Sequence, residues 1–566
     1  MQQYTPIGRC LRFLRRYNRY IKVSVIAIIA LTIALLPTTI FGIPGLTPIQ
    51  QRMIAIFVWA ALMWIIEAVP AWTTSLLIIV IMLLTVSDSS LNFLKQEKEK
   101  TSTSLQHVSK IEKGDTLSII TKQEIAAEMI PTDASIKEDG ILLVKHIAAK
   151  GENIDSICNR YSISKNDVYK ETVTKKSPYM SYKDIMGYFA NPTVMLFMGG
   201  FILALVASKS GVDISMARAM LKPFGSRPKV VLFGFIIVTA IFSMFVSNTA
   251  TAAMMLTFLA PVLRQLPANE KGTAALALAI PIGANIGGLA TPIGTPPNGI
   301  ALQYINDPTG LNLNVGFGEW MTIMTPLVIV ILIISWLLLS IFYPFTSKEI
   351  NIRIIGGAKK GWRTSVIYGT LAVTILLWMF ESLTGINSYV VALIPIGFFA
   401  ISRIIISSDL KDIDWACLWM VAGGFALGDG MKKTGLAQTM VDAIPFDSWP
   451  VLAVVLGGGV ICWLLSQFIS NSAATALMVP LMVAVGSGMQ EALGDYGGVG
   501  TLLVGVAMAA SFAMSLPIST PPNAIAYSTG LIKTKQMFIT GMTIGIISLI
   551  IGYVLIISVG KTGYFG

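Results

Sequence analysis

Apolar runs close to the ~20 residues that carry a helix across a bilayer recur from Ile21 to Ser558. Hydropathy windows of about 19 residues predict spans near 22–41, 52–69, 72–87, 192–210, 273–304, 320–344, 364–385, 388–407, 415–432, 499–530 and 537–558, eleven in all. Two further apolar stretches, about 229–263 and 450–487, are interrupted midway by Ser247-Asn248-Thr249 and Ser470-Asn471-Ser472. Their halves are barely long enough to cross, or too short, so each reads as two thin spans or one re-entrant hairpin. The expected fold class is an all-α polytopic membrane protein with eleven transmembrane helices and two opposed hairpins.

Flanking charge orients these elements, because basic residues stay on the cytoplasmic side. Arg227, Lys229, Arg264 and Lys271 border the first hairpin, which is expected to enter from the cytoplasm. Asp447, Glu491 and Asp495 border the second, which is expected to enter from outside. With the N-terminus cytoplasmic and the C-terminus extracytoplasmic, 22 basic residues fall inside and only Arg52, Lys432, Lys433 and Lys561 fall outside, apart from one long polar segment. The predicted location is a cell membrane, with lipid as the surrounding partner.

The chain repeats itself. Gly199-Gly200-Phe201 with Lys209 and Gly211 matches Gly423-Gly424-Phe425 with Lys433 and Gly435, and Ser247-Asn248 matches Ser470-Asn471. Pro292-Ile293-Gly294-Thr295-Pro296-Pro297-Asn298 matches Pro517-Ile518-Ser519-Thr520-Pro521-Pro522-Asn523, and the three offsets are 224, 223 and 225. Three motifs in one order and register mark an internal duplication. The fourth and ninth spans are five crossings apart, which predicts inverted halves of the kind recurrent in secondary transporters.

The polar stretch from about Ser87 to Lys183 has no counterpart in the second half and is expected outside the cytoplasm, as a small α+β insertion. From His146-Ile147-Ala148-Ala149-Lys150-Gly151-Glu152-Asn153 through Cys158, Tyr161 and Val168 it resembles a LysM module, two helices on a two-stranded sheet. That resemblance implies contact with peptidoglycan glycans. The domain organisation expected is 1–50 (N-terminus and first span), 51–93 (start of the first repeat) and 94–183 (insertion, LysM-like over 144–172). There follow 184–346 (the rest of the first repeat, hairpin 229–263), a linker 347–363, and 364–566 (second repeat, hairpin 450–487).

Composition narrows the function. The chain of 566 residues is 54% hydrophobic and 13% charged with mean hydropathy +0.71, against about 25% charged in soluble proteins. This excludes a soluble globular enzyme. Both histidines, His107 and His146, lie in the insertion, which leaves the membrane part without histidine metal sites or proton relays. Cys10, Cys158, Cys417 and Cys462 show no paired spacing. The net charge of +11 records orientation and not a nucleic-acid partner. Serine beside asparagine without a positioned base lacks nucleophile activation, so no enzyme is predicted.

Ser, Asn and Thr cap helix N-termini, because a short side-chain oxygen accepts orphan first-turn N–H groups. One such corner reads as an ordinary cap. Two, entering from opposite faces, would turn positive dipole ends toward the midplane and suit an anion, while their hydroxyls and carbonyls suit a small hard cation. In Thr295-Pro296-Pro297-Asn298 and Thr520-Pro521-Pro522-Asn523, consecutive prolines forbid a continuous helix and are expected to leave free carbonyls. No Lys, Arg, His, Asp or Glu occurs in either hairpin core or proline motif. An anion there must be met by dipoles, amides, hydroxyls and co-bound cations. Glu67 and Asp429 read as groups at span ends.

These paired motifs resemble the divalent anion/sodium symporters, which import dicarboxylates, tricarboxylates or sulfate. The resemblance covers about 470 residues. It implies a homodimer, elevator-like motion and sodium ions as the coupling species. Carried over by position, one sodium site would use Ser243, Ser247, Asn248 and Gly294, and a second Ser466, Ser470, Asn471 and Ser519. The substrate would lie among Asn248, Thr249, Thr295, Asn471, Ser472, Thr520 and Pro521. The second corner reads Ser-Asn-Ser, so Ser472 keeps the hydroxyl of threonine but lacks its methyl. The reading is a sodium-coupled importer of a small dianion such as succinate. Its alternatives are a sulfate symporter, a sodium-independent dicarboxylate exchanger and, remotely, a wall-binding sensor.

Overall fold

A computed structural model describes residues 6–95, 100–107, 116–121, 135–136, 142–147, 154–161, 168–176, 179–264, 266–267, 270–308, 310–350, 352, 356–358, 361–443 and 449–564. The chain divides into two compact units, Met1–Leu91 with Met180–Gly566, and Asn92–Tyr179.

The large unit opens with α1 (Pro6–Leu35), α2 (Pro48–Ile66) and α3 (Ala71–Thr85). Thr47 starts α2 through a reciprocal cap: its hydroxyl accepts from the Gln50 N–H at 3.4 Å, and the Gln50 side chain accepts from the Thr47 N–H at 3.0 Å. The first span sits closer to the N-terminus than hydropathy predicts, because α1 ends at Leu35, just before Pro37 and the left-handed Gly42. After α3, Asp88 N–H donates to Met180 O at 2.7 Å and Met180 N–H to Val86 O at 3.0 Å. The chain thus leaves and re-enters the large unit at one point.

The excursion between those residues is the small unit. It is an antiparallel sheet of β1 (Lys100–His107), β2 (Thr116–Thr121), β3 (Ser135–Ile136), β4 (Leu142–Ile147) and β5 (Val168–Lys176), in the order β1-β5-β2-β4-β3, with one described helix, α4 (Ile154–Tyr161). Leu117, Ile157 and Val168 are fully buried and form its core. The LysM resemblance implies one two-stranded sheet over 144–172. Instead β2 lies between β4 and β5. Local apolar spacing announces a strand and a helix but not which distant strand completes the ladder. Residues 148–153 and 162–167 of that segment lie outside the described residues.

The large unit continues with α5 (Tyr182–Gly187), α6 (Pro192–Ser210), α7 (Val212–Leu221), α8 (Pro228–Phe245), α9 (Asn248–Leu263), α10 (Gly272–Gly288), α11 (Pro296–Ile305) and α12 (Phe317–Phe342). Next come α13 (Trp362–Met379), α14 (Glu381–Thr384), α15 (Ser388–Val391) and α16 (Ile394–Ile401). The remainder is α17 (Trp415–Lys433), α18 (Leu436–Ala443), α19 (Val451–Ser466), α20 (Asn471–Gly488), α21 (Gln490–Leu493), α22 (Gly498–Ser511), α23 (Pro521–Ser528) and α24 (Thr534–Gly560). Among the described residues, seven stretches are long and apolar enough to cross a membrane, carried by α2, α5–α6, α8, α12, α13, α20 and α24. Five of the seven fall in the eleven predicted windows, while α8 and α20 are halves of the two expected hairpins, whose other halves α9 and α19 have 16 residues each. Among the remaining windows, the helix of 72–87, α3, has 15 residues, and 273–304, 388–407 and 499–530 each contain two helices.

The run α6 to α12 is echoed in order by α17 to α24. The repeated glycines have a packing role: a Cβ at Gly199 would collide with the Ala392 carbonyl, and one at Gly423 with Ser75. Lys209, in the last turn of α6, donates to both oxygens of Asp409, which precedes α17, at 2.7 and 2.6 Å. Reciprocally, Lys433 at the end of α17 pairs at 2.9 Å with Asp184, which precedes α6. Each helix has 19 residues, or about 28 Å at 1.5 Å per residue. Both pairs can form only if α6 and α17 run antiparallel. α10 and α22 are buried along nearly their whole length and form the centre of the unit.

Candidate functional site

At the first corner, α8 gives way to α9 through extended Val246, and the Ser247 hydroxyl accepts from Ala250 N–H at 3.3 Å. Oriented to satisfy its neighbours, the Asn248 amide donates to Ser243 Oγ at 2.6 Å, Gly294 O at 3.0 Å and Ala284 O at 3.2 Å. Ser243 Oγ in turn donates to Ala284 O at 2.8 Å. The approach is close enough to require glycine, since a Cβ at Gly288 would stand 2.6 Å from the Asn248 amide. The Thr291 hydroxyl donates to Met244 O and accepts from Gly294 N–H at 3.0 Å.

The second corner keeps the cap, with Ser470 Oγ accepting from Ala473 N–H at 3.3 Å. Its neighbours differ. The Ser519 hydroxyl donates to Gln467 O at 2.9 Å, and Gln467 Oε1 accepts from Ser515 N–H at 3.0 Å. Ser466 Oγ, Asn471 Oδ1 and Ser515 Oγ are buried without a hydrogen-bond partner. Buried polar atoms in that state carry a desolvation cost of about 1–3 kcal/mol each, which a small cation coordinated by oxygen would relieve. Among the described residues no cluster of His, Cys, Asp or Glu could hold a metal. Neutral hydroxyl, amide and carbonyl oxygens suit a weakly held monovalent ion better than calcium or magnesium, whose sites draw on carboxylates.

The proline motifs do not leave the free carbonyls expected of them. Asn298 Nδ2 donates to Gly288 O, Leu289 O and Thr291 O at 3.1, 3.3 and 2.8 Å, and Asn523 Nδ2 to Met514 O and Leu516 O at 2.8 and 2.9 Å. The last residue of each motif therefore staples the end of the preceding helix. Asn285, on α10, links the halves by donating to Thr520 Oγ1 at 3.1 Å and Asn523 Oδ1 at 3.2 Å. Neither Asn285 nor Gln467 belongs to a repeated motif, since their counterparts are Ala510 and Met244.

Both corners and both proline motifs line one cavity of about 270 Å³. Of the sequence-derived positions, Ser247, Asn248, Thr249, Gly294, Thr295, Ser470, Asn471, Ser472, Ser519, Thr520 and Pro521 face it. Ser243 and Ser466 do not, being fully buried. Phe197, Phe201 and Met420 add apolar wall, and Asn285 and Asp414 add polar wall. The Asp414 carboxylate caps α17, accepting from Cys417 N–H at 3.0 Å. None of the described lining residues is Lys, Arg or His. The arrangement offers hydroxyls and helix N-termini to an anion and oxygen ligands to a cation.

Charged groups gather away from this cavity. Asp429 accepts from the Tyr188 hydroxyl and pairs with Lys433 at 3.1 Å, while Lys432 pairs with Asp307 at 2.6 Å. Glu67 ends α2 in the left-handed region at φ 47°. Glu270, between α9 and α10, is only 5% exposed. It accepts from the N–H and hydroxyl of Thr346 (2.9 and 2.7 Å) and of Ser347 (2.9 and 2.7 Å), and from Gly272 N–H at 3.2 Å. Burial alone would raise its pKa, but these donors outweigh it and hold the carboxyl down at about 2.

Residues 176–495 match the citrate transporter family, CitMHS. The chain is 28% identical over 410 residues, 65% of its length and 76% of the relative's, to the sodium-dependent dicarboxylate transporter SdcS of Staphylococcus saprophyticus. It is likewise 28% identical over 406 residues, covering 66% and 82% of the two chains, to an uncharacterized transporter of Haemophilus influenzae. Among solved structures, the Alcanivorax borkumensis YdaH transporter aligns at TM-score 0.48 and 15% identity over 75% of this chain and 93% of that one.

Proposed function

We propose, because the chain belongs to the citrate transporter family, that this integral membrane anion transporter imports a four-carbon dicarboxylate such as succinate with sodium ions. The observation that carries the proposal is the cavity itself, where two serine-capped helix N-termini and two broken helices converge without a cationic side chain. At about 270 Å³ it lies below the ~300–1,000 Å³ of pockets for drug-sized ligands, which favours a small metabolite. The staphylococcal relative, a sodium-dependent dicarboxylate transporter, is consistent with it.

In this reading the Asn248 amide turns over to present its oxygen, so that it, Ser243, Ser247 and the Gly294 carbonyl hold one sodium ion, and Ser466, Ser470, Asn471 and Ser519 a second. Each ion adds positive charge where no arginine stands, so substrate binding becomes favourable only once the corners are filled. That coupling is reciprocal, since whatever the ions contribute to anion affinity the anion returns to the ions. The carboxylates meet Asn248 and Thr249 on one side and Asn471 and Ser472 on the other, with Thr295, Thr520 and Pro521 enclosing them. The antiparallel α6 and α17 support inverted halves, and with them an elevator-like alternating access.

Uptake of labelled succinate into proteoliposomes tests the proposal. An inward sodium gradient is expected to drive accumulation that unlabelled succinate competes away. Unchanged uptake with potassium in place of sodium would establish exchange instead, and competition by sulfate alone would reassign the substrate.

A further inference from the structure

The large unit carries a second recess, of about 990 Å³, far from the Ser-Asn corners in sequence and composition. It lies where the end of α6 meets the start of α13 and the turn after α16, and Lys209, Arg363 and Arg403 line it. Lys209 is engaged by Asp409 at 2.6 Å. Arg363 and Arg403 form no ion pair among the described residues, and both are exposed. The two guanidinium groups therefore leave the recess with uncompensated positive charge.

What surrounds the recess identifies the kind of molecule that would neutralise it. Trp362, 61% exposed and stacked beneath Arg363 at 5.5 Å, is the amphipathic ring that sits at headgroup depth. From there α13 runs away with only 17% of its apolar window buried, exposing Val373 (53%) and Leu376 (51%). Phe398 and Ile401 of α16 are 60% and 88% exposed. An occupant must present a negatively charged, hydrogen-bond-accepting head to the arginines and hydrocarbon to these helices. Basic pockets between transmembrane helices meet that description for anionic lipid headgroups.

We propose that this recess is a binding site for an anionic phospholipid, with its phosphate between Arg363 and Arg403 and its acyl chains along α13 and α16. The guanidinium fork matches phosphate oxygens in pairs. The site is independent of the proposed transport reaction.

The test uses the purified full chain in zwitterionic nanodiscs with and without a fraction of phosphatidylglycerol, with bound lipid counted by native mass spectrometry after release. Wild type is expected to retain phosphatidylglycerol selectively. Arg363→Gln with Arg403→Gln should weaken that retention about twenty-five-fold, at roughly fivefold per surface arginine. Arg363→Lys with Arg403→Lys should recover part of it. Both positions are exposed, so monodispersity and unchanged sodium-dependent thermal stabilisation serve as controls for folding. Equal retention by the glutamine variant would overturn the proposal. So would inorganic phosphate displacing the lipid at millimolar concentration, or a second copy of the chain occluding the face.

Discussion

The two Ser-Asn corners share a motif and a cap but satisfy their polar groups by different means. At the first, Asn248 closes the structure itself, giving its amide to Ser243, Ala284 and Gly294. At the second, Gln467 and Ser519 hold the backbone together, and Asn471 Oδ1 with Ser466 Oγ is left unpartnered. The same carbonyl is tied in both halves, that of Met244 by Thr291 and that of its counterpart Gln467 by Ser519. The matched motifs pose the same backbone problem twice, and different side chains answer it. One corner is pre-organised without a cation, whereas the other holds oxygen ligands whose desolvation a cation would offset.

The largest expected effect separates the two asparagines. Asn248→Ala should lower thermal stability by about 2–4 kcal/mol even without sodium, because three buried acceptors lose a donor. Asn471→Ala should leave sodium-free stability nearly unchanged and abolish most of the stabilisation that sodium adds. Both should cut succinate uptake roughly 10–100-fold, the consequence of losing about 1.5–3 kcal/mol of ligand interaction. Equal sodium-free melting of the two variants would erase the proposed distinction.

Exchanging the unequal residues sharpens it. Gln467→Met installs the first corner's side chain at the second, strands Ser515 N–H, and should cost about 1–3 kcal/mol. Ser519→Gly, which copies Gly294, should cost about 1 kcal/mol through the lost hydroxyl bond to Gln467 O. The two costs should combine less than additively, because the residues share one network. Full additivity in a double-mutant cycle would show that they act separately.

What was legible in the sequence follows this division. Apolar length located the unbroken spans α2, α6, α12, α13 and α24, and the repeat offsets picked out Ser247, Asn248, Ser470, Asn471 and both Thr-Pro-Pro-Asn turns, because identical residues at matched positions stand out. Asn285 and Gln467 did not stand out, since each occurs in one half only, and an isolated polar residue in an apolar window also reads as a helix-packing group. The stapling by Asn298 and Asn523 was hidden for another reason. Proline predicts which donors disappear but not which side chain satisfies the carbonyls left behind. In the small unit, the partner of a strand is a long-range fact that local alternation does not contain.

The cross-half tie offers a smaller test. Asn285→Ala removes both bonds from α10 to the second proline turn and should cost about 1–2 kcal/mol. It should also weaken substrate-dependent stabilisation by about tenfold, since Thr520 and Asn523 lose their shared donor. Ala510→Asn, at the repeat-related position, lies within fully buried α22 and should gain nothing and destabilise by overpacking. An equal gain in substrate affinity from Ala510→Asn would show that the asymmetry is incidental.

The smallest effect concerns two acidic residues at matched positions, Glu270 and Asp495. Glu270 is buried under five donated hydrogen bonds, while Asp495, its repeat-related partner, is exposed. A carboxyl held at about 2 in the folded chain, against about 4.3 when unfolded, binds its proton more readily in the unfolded state. Its stabilising contribution is therefore complete above pH ~4.3 and is lost as pH falls toward ~2. Glu270→Gln should lower stability at pH 7 by about 1–2 kcal/mol and flatten the loss of stability that wild type undergoes over that acid window. Asp495→Asn should change neither, because the Asp495 side chain is exposed to solvent. Melting temperatures measured from pH 7 to pH 3 for the three proteins decide the matter: parallel acid profiles for wild type and Glu270→Gln would mean that the connection between α9 and α10 is not anchored by this carboxylate.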